Sequence, residues 1–188
     1  MALADAHVLA IRTYLSKATA ESAMTPGPPL PGSHPPPSLI AKIYLECVSL
    51  YSSALALALT PSKAKSSGNS SRTLLLGHSH SSSYEISQDL RSYLSFEIAF
   101  TTALAHKWLG VDCGEKGGQA RAGEAVAFLV WAKSELEEAK GNVLKAIGKG
   151  LREKERKERI TVELESINVF LKYYKKMNDS VSAFYSPD

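Results

Sequence analysis

The chain has 188 residues, 44% of them apolar, and a formal net charge of +3, enough for one globular domain with a hydrophobic core. So mild a charge excludes the concentrated basic face that nucleic-acid binding requires. Two distant cysteines, Cys47 and Cys113, exclude a disulfide framework and favour a reducing compartment, each thiol serving as a small apolar side chain.

The opening, "MALADAHVLAIRTYL", lacks a basic start that leads into an apolar run, so it is not a secretory signal. The first helix is expected over about residues 2–23, rich in Ala and Leu, with Leu3, Leu9 and Leu15 among its apolar positions. Next comes "MTPGPPLPGSHPPP", residues 24–37, whose seven prolines and two glycines cannot sit inside a helix or a sheet. It reads as a linker, extended in places, and as a weak match to the segments that polyproline-recognition domains bind. Pro37 suits the first turn of a second helix that runs to about Leu59. There Leu39, Ile43, Cys47, Leu50, Tyr51, Ala54 and Ala58 recur at three and four. Its longest unbroken apolar run, residues 54–59, is far below the roughly 18 residues of a membrane-spanning helix, so the chain reads as soluble and cytoplasmic. Thr60-Pro61 ends the helix, and the polar stretch that follows has too little apolar surface to fold on its own.

A third helix is expected over about residues 84–109, with Gly110 as its stop. Leu90, Leu94, Ile98, Thr101, Ala105 and Trp108 form a stripe, and Phe96, Ala99, Phe100 and Ala103 widen it nearly all round, the pattern of a helix packed on several sides. After a break, "GVDCGEKGG", a fourth helix runs over about 120–147, with Ala122, Val126, Leu129, Ala132, Leu136, Ala139, Val143 and Ile147 inward. "GKG", residues 148–150, separates it from a last helix over about 151–178. There Ile160, Leu164, Ile167, Leu171 and Tyr174 alternate four and three, a narrow seam of the coiled-coil type. No segment carries a convincing period of two. The expectation is an all-α, antiparallel helical stack, like tetratricopeptide hairpins, which presents grooves to a partner helix.

The residues that carry chemistry elsewhere are weakly placed here. Of His7, His34, His78, His80 and His106, only "HSH" at 78–80 clusters, and no further ligand stands at zinc spacing. His106, beside Lys107, reads as a partly buried packing residue. There is no G-x-S-x-G elbow and no phosphate-cradling loop ending in Gly-Lys-Ser/Thr. No catalytic residue, metal or cofactor is therefore expected. The run "KGLREKERKER", residues 149–159, reads as a solvated helix face. Alternatively, Arg152, Lys154, Arg156, Lys157 and Arg159 touch acidic lipid head groups or an acidic partner.

Several motifs together resemble a known family. They are Ala105-His106-Lys107 followed by Leu109-Gly110, then Gly123-Glu124-Ala125-Val126 with Leu129, and the ending Lys175-Lys176-Met177-Asn178-Asp179. In this order they resemble the second half of a BRO-one domain, in its fungal pH-response branch, and the likeness extends to "PSLIAKIYLECVSLY" and "LADAHVLAIR". The resemblance implies a partial domain over residues 1–188, with a Pro-rich loop at 24–36 and a Ser-rich loop at 62–83. It implies a non-enzymatic adaptor, cytoplasmic and recruited to the plasma membrane or endosome. Such an adaptor binds the C-terminal helix of the filament-forming ESCRT-III subunit, of the Snf-seven type, and works with other components of the pH-signalling complex to support proteolytic activation of the transcription factor PacC. By the same likeness Val8, Leu39 and Ile43 fall on the family's apolar binding surface, although plain core packing of Leu39 and Ile43 is the alternative. After Asn178-Asp179 the family carries an aromatic and then an aliphatic residue, where Ser180 replaces the first and Val181 keeps the second. A whole BRO-one domain is about twice as long, so the chain is expected to be a fragment, a truncated product or a shortened homologue.

Overall fold

A computed structural model of the chain describes residues 1–22, 27–60, 87–145 and 151–184, with side chains described for all of these except 18–22, 144–145, 151 and 181–184. The Ser-rich loop, His78, His80, residues 24–26, Ile147 and the 148–150 break lie outside the described residues. Among the described residues five α-helices follow in order: α1 (Ala2–Ser22), α2 (Pro37–Leu59), α3 (Gln88–Gly117), α4 (Ala122–Lys145) and α5 (Leu151–Phe184). One 3-10 turn, Gly118–Arg121, joins α3 to α4. No strand occurs among the described residues, in keeping with the all-α expectation.

The helix buried on most of its sides takes the centre. α3 packs along α2 on one side and α4 on the other, while α1 lies against α2 and α5 against α4 and the flank of α3. This follows from the sequence, because Leu94, Phe96, Phe100, Ala103, Ala105, Trp108 and Cys113 are all buried and no single stripe of α3 contains them. α4 buries Ala122, Ala125, Leu129, Ala132, Leu136, Ala139 and Val143, nearly the face expected, and Val126 is half-buried beside them. α5 buries Ile160, Ile167, Phe170, Leu171 and Tyr174, with Leu164 half-buried.

Three expectations are corrected. Gly110 does not end α3, which runs a further two turns to Gly117. A Cβ at Gly110 would stand 3.0 Å from the Ala125 carbonyl oxygen and 3.0 Å from Leu129 Cγ, so this glycine is a point of close α3–α4 approach. The stop is Gly118, whose φ of +51° suits glycine and whose N–H bonds to the Gly114 carbonyl. α5 passes through Asn178 to Phe184 instead of ending near 178. In α1, Leu3 and Leu9 face solvent, and Ala4, Val8 and Ile11 face the core. In α2 the core stripe is Ile40, Ala41, Tyr44, Cys47 and Tyr51, turned by about one residue from the stripe expected. Leu39 and Ile43 are thereby moved away from the centre of the core.

α2 is also long and apolar enough, by length and composition, to cross a membrane, which counting unbroken apolar runs did not find. It carries Lys42 and Glu46 and packs Tyr44, Cys47 and Tyr51 between α1 and α3, as a core helix does.

Candidate partner-binding groove

A concavity of about 660 Å³ lies between α1 and α2. From α1 come Ala10, Ile11, Tyr14 and Leu15, with His7 at one end. From α2 come Leu39, Ile40 and Ile43, with Lys42 and Glu46 on the rim. The surface is apolar inside and charged only at its edge, as in sites that take one face of an amphipathic helix. Leu39 is 50% exposed and Ile43 half-buried, so both present apolar surface to the groove. Residues 39–46 rise about 10 Å along α2, room for about two turns of a bound helix.

Polar anchors hold α1 in place. Asp5 Oδ1 accepts hydrogen bonds from Tyr51 Oη of α2 at 2.6 Å and from Tyr93 Oη of α3 at 2.8 Å. Burial, and then the bond to Asp5, push the Tyr93 phenol up to about 12, and the same causes push Tyr51 higher still. Both therefore remain donors across the physiological range. On the groove side, His7 Nδ1 is buried without a hydrogen-bond partner.

The segment between α1 and α2 forms a further wall. Ser33 and Pro35 line the groove, and His34 beneath them lies against Trp108, ring centroids 5.3 Å apart. His34 Nδ1–H donates to the Pro35 carbonyl at 2.6 Å, and burial holds the imidazole below its ordinary value.

The sequence-derived site residues fall in different places. Leu39 and Ile43 come together in the groove. Val8 is 8% exposed and belongs to the core under α1. Val181 lies on α5, its side chain outside the described residues. Of the cationic run, Arg159 makes a two-pronged ion pair with Glu97 at 2.6 and 2.9 Å, and its guanidinium lies 4.5 Å from the Phe100 ring centroid. Arg156 lies over Phe96 and donates to Ser92 Oγ at 3.3 Å. Both thus join α5 to α3, as exposed Arg152 does with Asp89 at 3.8 Å, while Lys154 is exposed and Lys157 half-buried. His106 packs as expected, stacked 3.9 Å from the Trp131 ring, with Nδ1–H donating to Glu135 at 2.8 Å. Burial raises the Cys113 thiol, which makes it a poor nucleophile.

Sequence reasoning missed Asp5, Tyr14, Ser33, Pro35 and the pair of buried Lys107 with half-buried Glu163 at 2.7 Å. One signal was available: a lone Asp in an Ala- and Leu-rich helix, one residue past the inward Ala4, implies a buried acceptor that needs donors.

A helical stack with an apolar groove beside its first two helices is the architecture of an interaction domain. Residues 6–183 match the BRO1-like domain, and the chain belongs to that family. It is also similar to the pH-response regulator protein palC of Cryptococcus neoformans var. neoformans serotype D (strain B-3501A). The two are 40% identical over 201 aligned positions, which cover 96% of this chain and 41% of the relative. The chain thus spans less than half the length of that relative. No solved structure matches it.

Proposed function

We propose that this chain is a non-enzymatic adaptor in alkaline ambient-pH signalling that holds an amphipathic helix in the α1–α2 groove. The helix is the C-terminal one of the filament-forming ESCRT-III subunit, and its capture supports proteolytic activation of the transcription factor PacC. The adaptor works from the cytoplasm, recruited to the plasma membrane or endosome together with other components of the signalling complex. The observation that carries this is the pairing of Leu39 and Ile43, one turn apart, in an apolar groove about two helical turns long. The rim supports it: Lys42 and Glu46 offer opposite charges to the polar flanks of a helix. Kinship to a pH-response regulator supports the pathway. A membrane-surface role through residues 152–159 is less favoured, because Arg156 and Arg159 are engaged with α3.

Anisotropy of a labelled peptide from that ESCRT-III helix tests the reading. Leu39→Asp is the cleaner variant, since Leu39 is half exposed, whereas Ile43 also packs on the core. Either substitution costs about 2 kcal/mol of affinity if the residue is a buried anchor, roughly thirtyfold in dissociation constant. Helicity and melting of the Leu39→Asp variant stay near wild type. A folded wild-type chain that binds no such peptide sinks the ESCRT-III assignment.

A further inference from the structure

Residues 27–36 have little means of holding their own shape. Prolines offer no N–H for a backbone ladder, and within the segment one turn closes, the His34 N–H donating to the Pro31 carbonyl at 2.9 Å. Their position is therefore set by what they touch. Leu30 packs on the core, and its N–H donates to Glu115 Oε2 of α3 at 3.0 Å. His34 lies tilted against Trp108, ring centroids 5.3 Å apart. At the far end the Ser38 N–H donates to Asp112 Oδ1 at 3.1 Å, an oxygen that Lys116 Nζ also meets at 2.7 Å. These contacts fix a strap across α3, and its outer side, at Ser33 and Pro35, faces the groove.

Glu115 has a second bond. Its Oε1 accepts from Tyr174 Oη of α5 at 2.7 Å. Tyr174 is fully buried and reaches that far only because Gly114 leaves room, since a Cβ there would overlap the tyrosine ring. One carboxylate therefore joins the strap, α3 and α5, while lining no part of the groove.

We propose that the proline strap is a working wall of the partner site and that Glu115 is its positioning residue, setting partner affinity from outside the groove. This rests on the groove reading above. The occupant is an amphipathic helix whose apolar side chains meet Ile11, Leu39 and Ile43 and whose flank lies along Pro35 and Ser33. A wall held in place before binding removes the ordering cost that a loose one would impose.

The test uses the full chain and the same labelled ESCRT-III helix peptide. The variants are Glu115→Ala/Tyr174→Phe, which leaves no orphaned phenol, Glu115→Gln, Ser33→Trp and Leu39→Asp. Each is read by peptide affinity, circular dichroism and exchange of the Leu30 amide. The double variant is expected to weaken binding about tenfold and to speed Leu30 exchange at unchanged helicity. Glu115→Gln keeps an acceptor for the Leu30 N–H and recovers most of both. Ser33→Trp, at an exposed position, weakens binding without altering Leu30 exchange. If the double variant and Ser33→Trp both bind like wild type while Leu39→Asp does not, the strap is no wall and only the groove stands. Should the double variant lose helicity, Ser33→Trp decides alone, and unchanged affinity overturns the proposal. A wild-type chain that binds no peptide overturns the groove and the strap together.

Discussion

His34 is an imidazole held in a place that suits only its neutral form. Burial lowers its affinity for a proton, the bond to the Pro35 carbonyl and the Glu115 carboxylate oppose that, and the Lys107 ammonium adds to it. The sign follows from proton counting. A released strap binds more protons than a docked one, so docking is fully favoured above the ordinary histidine value and weakens as pH falls below it. We expect His34 to titrate below its ordinary value of about 6.5 and Leu30 amide protection to fall as pH drops through the range below that value. A proton NMR titration measures both. Replacing His34 with Gln should remove the pH dependence over that interval, and a variant that kept it would assign the effect to another group.

At the scale of elements, α5 meets α3 mainly through long polar side chains, because few of their backbone positions approach closely. Arg159 with Glu97, Lys107 with Glu163 and Tyr174 with Glu115 make the junction. Glu97 is 3% exposed and Lys107 4% exposed, so each depends on its partner for compensation. Glu97→Ala should destabilise the fold by about 3 kcal/mol, since it leaves the Arg159 guanidinium partly buried without its carboxylate. Glu97→Leu combined with Arg159→Met should cost distinctly less, because both charges leave together. Urea denaturation of the two variants separates these cases, and equal losses would mean that volume, not charge, governs the junction.

Over the whole molecule, packing is strongest around α3 and thins towards α1, whose only close backbone approach among the described helices is to α2. The groove thus lies beside the helix most easily released. Native-state hydrogen exchange should find α1 amides opening at lower free energy than those of α3, and saturating partner peptide should slow α1 in particular. Uniform protection across all five helices would contradict this ordering. Such a gradient suits an adaptor, in which a rigid centre carries a wall that partner binding can stabilise.

By itself the sequence determined the all-α class, the limits of α2, the central place of α3 and the inward face of α4. Each rests on local signals: proline at a helix start, apolar period, and an apolar surface too wide for one neighbour. It also carried enough motifs to indicate the family. Tertiary structure alone decided the rest. Whether a glycine stops a helix or lets a neighbour approach depends on what stands opposite, so Gly110 and Gly118 exchanged roles. The one-residue turn of α2 that puts Leu39 and Ile43 in a groove depends on where α1 and α3 bury their own side chains. The contacts of Asp5 with Tyr93 and of Leu30 with Glu115 span more than eighty residues of chain. No local pattern encodes such distant pairs, because each acquires its energy only once the helices have packed.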